Sequence, residues 1–296
     1  MKTMILLVLT LLSITVKAQS IDDFPDMRSW GIYYSDTLER YIYADTAYIR
    51  ISPDTKQPPI DTLLTGDNIL ITGASPNSLT IRGLKGPWLK IKYSKNGEER
   101  NGYIWQGLVS CTPLRRGDTK FVFGIERKMD SSYIIENSKQ TFPFFQVRLK
   151  VVQNGTVISR AAFATPNDES ANFSEGKVMS GLGLTNVQNM VVLSFNGAAC
   201  GVPSLDYYFA FTKNNSLVRF PDKTNVGDAG VYYHSETFIF PSEKNGKPDQ
   251  LIWNLLEEEE TEKTDKNGEP IMKVTAKKNK TWVWDHQKET ITELKK

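Results

Sequence analysis

Apolar residues in this chain alternate with polar ones or gather in short runs, and a helical period is scarce throughout. Tyr48 to Ile51, Asn68 to Thr72, Trp88 to Tyr93, Gln146 to Val152, Val191 to Phe195, Thr237 to Phe240 and Thr281 to Trp284 are rich in β-branched and aromatic residues. Turn residues bound each run, which is the pattern of strands. The Asn-Gly pairs Asn96-Gly97, Asn154-Gly155, Asn196-Gly197, Asn245-Gly246 and Asn267-Gly268 sit beside or near these runs. Such pairs favour the positive-φ geometry of tight hairpins. The pattern predicts a mostly β, antiparallel protein.

The first residues differ. Lys2 precedes a short apolar run from Met4 to Val16, and Val16-Lys17-Ala18 supplies small residues before Gln19. The run is shorter than the ~20 residues a membrane helix needs, and its layout is that of a secretory signal. Residues 1–18 are therefore expected to direct export to the periplasm or the exterior, without membrane insertion. Residues 19–43 read as a lead-in segment, ordered in part by Trp30, Tyr33, Tyr34, Tyr41 and Tyr43. A boundary is expected near Cys111-Thr112-Pro113, separating a unit at 44–112 from a larger β domain at 119–296.

The unit at 44–112 carries ordered blocks: Ala47-Tyr48-Ile49-Arg50-Ile51-Ser52-Pro53, Leu63 to Ile69 around Gly66-Asp67, Gly86-Pro87-Trp88-Leu89-Lys90-Ile91, and Asn101-Gly102-Tyr103-Ile104-Trp105. Pro53 ends a strand because it cannot serve a central ladder, and Asn96-Gly97 joins the last two blocks as a hairpin. In order and spacing these blocks resemble a bacterial SH3 domain, with a departure at Ser75 to Lys85, which reads as a widened loop. The resemblance implies an SH3-like barrel that binds a protein, peptide or cell-wall fragment and needs no cofactor. Tyr48, Trp88, Tyr103 and Trp105 are its candidate groove residues, since aromatics give contact area at low entropy cost. Trp88, Tyr103 and Trp105 could equally fill the core.

Beyond Phe121 the expected architecture is a sandwich, with a propeller-like array as the alternative. Tyr207 to Phe211, Asn214-Asn215 and Leu217 to Phe220 are echoed by Trp282 to Trp284, a turn near His286 and Thr290 to Leu294. Residues 257–270, with four consecutive glutamates, read as an exposed loop or long hairpin tip. Cys111 and Cys200 are the two cysteines. In an oxidising compartment they are a disulfide candidate, with two free thiols as the other option. Small residues flank Cys200, and Glu236 shares a strand face with His234, so a thiol hydrolase using Cys200 and His234 is the rival function. No helix follows Cys200 to lower its thiol pKa. The histidines and cysteines lack zinc spacing, and Asp206, Asp222 and Asp228 lack the calcium-loop pattern, so no metal site is expected.

Charge narrows the partners. Residues 1–18 hold two lysines and no acid, so the 36 basic residues fall to 34, equal to the 34 acidic ones. A neutral surface gives no electrostatic basis for nucleic acid or anionic lipid. The expected role is an exported binding or adaptor protein, with a structural component of an envelope assembly as a third possibility.

Overall fold

The structure, a computed structural model, describes residues 38–135, 138–197 and 199–295. The expected signal at 1–18, most of the lead-in and Trp30, Tyr33 and Tyr34 lie outside the described residues. Within them all strand pairing is antiparallel, and the helical elements are two short 3-10 turns at Gln106–Leu108 and Glu169–Ala171. The mostly β expectation holds.

The N-terminal unit contains β1 (Leu38–Tyr41), β2 (Thr46–Ile49), β3 (Asp61–Leu64), β4 (Asn68–Ile81), β5 (Leu84–Lys95) and β6 (Glu98–Trp105). Four of these form a sheet in the order β1-β4-β5-β6, and β2 and β3 form a separate ribbon. Single bridges at Arg50–Tyr103 and Ile42–Val109 join the parts, and no ladder closes them into a barrel. Ile42, Ile49, Leu63, Ile71, Leu89, Ile91 and Ile104 fill the space between ribbon and sheet. Alternation accounts for this set, because residues two apart on a strand share a face.

The widened loop expected at Ser75 to Lys85 is a correction. β4 and β5 remain paired out to Ile81 and Leu84, with a bulge between Ala74 and Ser78 and a tip at Arg82-Gly83. Leu79 and Leu84 pack into the core of the neighbouring sheet. That long-range burial stabilises an extension whose local pattern is too polar to announce a strand.

The second sheet holds β7 (Leu114–Arg116), β8 (Thr119–Ile135), β9 (Ser138–Gln153) and β10 (Thr156–Pro166) in the order β10-β9-β8-β7. The third begins with β11 (Phe173–Ser180), β12 (Val187–Asn196), β13 (Ser204–Thr212) and β14 (Leu217–Arg219). It continues through β15 (Lys223–Asp228), β16 (Tyr232–Ile239), β17 (Gln250–Thr264), β18 (Pro270–Asp285) and β19 (Thr290–Glu293). β14 branches from β13, and the other strands run in the order β11-β12-β13-β15-β16-β17-β18-β19. Phe121, Phe123, Phe145, Val147 and Leu149 of the second sheet pack on Val191, Leu193, Phe195, Phe209 and Phe211 of the third, as in a sandwich. The opposite face of β12 and β13 presents Met190, Val192, Tyr208 and Ala210 to Phe220, Phe240, Leu251 and Trp284. Both strands are thus buried on two sides, which is why they read as unbroken apolar runs.

The two echoing hairpins, β13–β14 and β18–β19, both form, and their turns meet. Asn214 Nδ2 donates to Glu289 Oε1 at 3.0 Å, and Trp284 Nε1 donates to the Thr185 carbonyl at 2.8 Å. The third sheet therefore curls until its far end touches the start of β12. Glu257 to Glu260 lie inside β17, paired with β16 or β18, and the turn is confined to 265–269. Of the two readings the long hairpin holds, and the loop fails because the ladder supplies partners: Glu259 opposes Lys273, and Glu257 opposes His234.

Candidate functional site

The structure does not gather Tyr48, Trp88, Tyr103 and Trp105 into one groove. Trp88 and Trp105 are direct cross-strand partners on β5 and β6. Both are 4% exposed and lie in the core shared with the second sheet. Tyr103 is half-buried against that core, and Tyr48 stands out at 53% exposure on β2. The residue after next explains the setting of Trp105. A Cβ on Gly107 would fall 2.3 Å from the six-membered edge of the indole, so only glycine admits the ring.

Trp105 nevertheless borders a cleft of about 540 Å³ between the N-terminal unit and the second sheet. Its floor follows from alternation on β8 and β9. Phe121, Phe123, Val147 and Leu149 point into the sandwich, which leaves Val122, Gly124, Arg148 and Lys150 on the face toward the N-terminal unit. The register shift at Ile125/Arg127 marks a bulge at Glu126, and bulges re-aim side chains. Arg148 grips Glu126 through two bonds, Nε to Oε1 at 3.1 Å and Nη2 to Oε2 at 2.8 Å. Tyr43 lies on Gly124, where a Cβ would come within 2.7 Å of the ring.

Lys150 is the buried member of the set. Its ammonium donates to the Tyr43 carbonyl at 2.6 Å and to Asp45 Oδ1 at 2.9 Å, and it sits 4.7 Å from the Tyr43 ring centre. Arg160 Nη2 shares the same Asp45 oxygen at 3.1 Å. The hydrogen bond from Lys150 holds Asp45 below the usual carboxylate range, while burial holds Lys150 below the usual lysine range despite that bond. The carboxylate gains from the pair, whereas the ammonium loses more hydration than the pair returns. The net stabilisation is therefore small and the contribution is orientation. Burial, then the charge of Glu126, raises the Tyr43 hydroxyl well above the ordinary tyrosine range, so it stays protonated.

Arg82 completes the wall. It occupies the β4–β5 tip at φ +53°, followed by Gly83 at +80°, and its carbonyl accepts from Lys128 N at 3.1 Å. Among the described residues no acid pairs with its guanidinium. Arg82, Arg148, Lys150 and Arg160 thus outnumber Asp45 and Glu126 by two charges in the cleft. Sequence reasoning missed this cluster. The available signal was Val147-Arg148-Leu149-Lys150-Val151, where a basic residue at every second position of an apolar strand marks one face as charged.

Cys111 and Cys200 are not bonded to each other. Cys111 is buried and Cys200 exposed, and burial pushes the Cys111 thiol up to about 12. His234 is engaged on both ring nitrogens, Nδ1 with Glu257 Oε1 at 2.9 Å and Nε2 with Glu236 Oε1 at 3.1 Å. Neither nitrogen is left to face a thiol. Among the described residues no group of His, Cys, Asp and Glu is arranged to hold a metal ion.

No family model, no curated protein and no solved structure matches this chain.

Proposed function

We propose that the chain is an exported binding protein of the bacterial envelope. In this reading an SH3-like N-terminal module and the sheet behind it take a peptide or cell-wall fragment. The single observation that carries the reading is the cleft beside Trp105. It is pre-formed, because Lys150, Asp45, Arg148 and Glu126 fix its walls before any ligand arrives, and its volume of about 540 Å³ falls among those of small-ligand sites. The thiol-hydrolase alternative lacks a base, since both nitrogens of His234 are engaged by carboxylates. Calorimetric titration of the purified protein with short peptides and with soluble peptidoglycan fragments tests the reading. Saturable binding of either class is expected, and heat of dilution alone from both would sink it.

A second reading, a component of an envelope assembly, draws on a different surface. Tyr48, Ile51, Ile60 and Leu64 are all exposed on or beside the β2–β3 ribbon. A partner there would meet side chains rather than add a strand to β3. Thr62 N and Leu64 N donate to Asp61 Oδ1 and Asp67 Oδ2, and Lys95 donates to the Thr62 carbonyl. Such self-capping is how exposed edges avoid pairing. Cross-linking in intact envelopes through Tyr48 and Leu64 distinguishes this surface from the cleft.

A further inference from the structure

Among the described residues, three hairpins turn on two residues with left-handed backbone, and one of them uses an unexpected residue. Asn96-Gly97 has φ of +55° and +82°, and Asn154-Gly155 has +49° and +74°. Arg82-Gly83 has +53° and +80°, the same geometry with arginine in the asparagine position. Asparagine tolerates this region because its short amide bonds locally, whereas a long side chain meets the full steric penalty. Strain of this kind, where an unstrained residue would serve, points from the backbone to a use for the side chain.

The use is visible in the cleft. Arg148 is matched by Glu126, and Lys150 and Arg160 share Asp45. Arg82 faces the same space with no acidic partner among the described residues. Its guanidinium is thus the one presented to a ligand, and a planar fork fits a carboxylate through two parallel bonds. A single carboxylate lowers the cleft's surplus of two positive charges to one, whereas a doubly charged phosphate would cancel it, so net charge admits both anions and the lining beside Arg82 decides between them. The apolar wall beside it, Tyr43, Ile81 and Trp105, suits the body of a short chain rather than a bare ion.

We infer that the cleft recognises the terminal carboxylate of a short peptide, and that Arg82 is the residue that reads it. This rests on the binding-protein reading above and narrows it to one chemical group. A cell-wall stem peptide and the end of an ordinary protein chain share that group.

The test uses the purified protein, wild type and Arg82→Asn, against N-acetylated tetrapeptides with a free C-terminal acid and against the same peptides as amides. A wall stem tetrapeptide, as acid and amide, forms a second arm that separates the two sources. Charge-assisted bonds of this kind lead us to expect the acid to bind roughly tenfold or more tighter than the amide. Arg82→Asn should erase that preference while leaving Tm unchanged or raised by about 2 °C, because asparagine relaxes the turn. A loss of binding with a fall in Tm would make Arg82 a structural residue and overturn the inference. So would equal binding of acid and amide, or displacement by inorganic phosphate as strong as by the acid, although the binding-protein reading would survive both. Binding of neither form to the wild type removes both together.

Discussion

The ammonium of Lys150 lies 2.6 Å from the backbone carbonyl oxygen of Tyr43, a contact made across 107 residues of chain. It is one of several ties that hold the N-terminal unit over the second sheet, beside Lys128 N to the Arg82 carbonyl and Lys120 Nζ to the Gly66 carbonyl, and Asp45 secures it from the side at 2.9 Å. The consequences of that tie can be measured through its carboxylate.

Asp45 should give stability a distinct acid limb. Its native carboxyl is held below the ordinary 3.8, first by the bond from Lys150, so the native state binds a proton less readily than the unfolded chain. The contribution is therefore complete above the unfolded value and disappears as pH falls through the native one. Asp45 is 69% exposed, so solvent screening limits the effect at neutral pH to about 1 kcal/mol or less. Urea melts of wild type and Asp45→Asn from pH 3 to pH 7 should converge below pH 4 and separate above it. Curves that stay parallel would remove the role given to this carboxylate.

Gly124→Ala should displace Tyr43. The backbone at Gly124 is not left-handed, so alanine is locally acceptable, and the whole cost arises from a Cβ 2.7 Å from the ring. Overpacking of this kind costs about 1–3 kcal/mol. In a Tyr43→Ala background the same change should cost almost nothing, because the clash is gone. A double-mutant cycle from denaturant melts measures that coupling, and a coupling near zero would mean the ring does not sit there.

The thiols should behave as two unrelated groups. Cys111, buried with its thiol pushed up to about 12, should resist alkylation until the protein unfolds. Cys200 is exposed and should react in the native state. One thiol per chain is expected without denaturant and two with it. His234→Gln should leave the Cys200 rate unchanged, since the imidazole bonds Glu236 and Glu257 instead. A rate that drops with His234 would return the two residues to a common site.

Trp105 combines a large buried ring with an indole N–H that has no partner among the described residues. Trp105→Ala empties a core position and should cost about 3–5 kcal/mol. Trp105→Phe keeps most of the ring and removes an unsatisfied donor whose burial is worth about 1–3 kcal/mol. It should therefore be far milder, and equal losses from the two changes would show that the N–H is satisfied in solution.

Much of the fold was legible from local pattern. Asn96-Gly97 and Asn154-Gly155 form the hairpins their residues favour, with both positions left-handed. Asn196-Gly197 does not, because Gly197 packs against Val202 and keeps an ordinary φ. The site was less legible. Trp88 and Trp105 share a strand face, as alternation requires, but alternation does not say whether that face meets solvent or another sheet. The second sheet covers it, so two groove candidates became core.

Sequence by itself determined what depends on neighbours along the chain: strands from two-residue alternation and short apolar runs, and turns where asparagine and glycine relieve positive φ. Only the tertiary structure decided what depends on partners far along the chain. It set the left-handed turn at Arg82, the ladder that holds four glutamates as strand, and the meeting of Arg148 and Lys150 with Asp45 and Arg82. The reason is physical. Local sterics act over a few bonds, whereas burial and charge pairing are fixed by which surfaces meet, and that choice belongs to the packing of whole sheets.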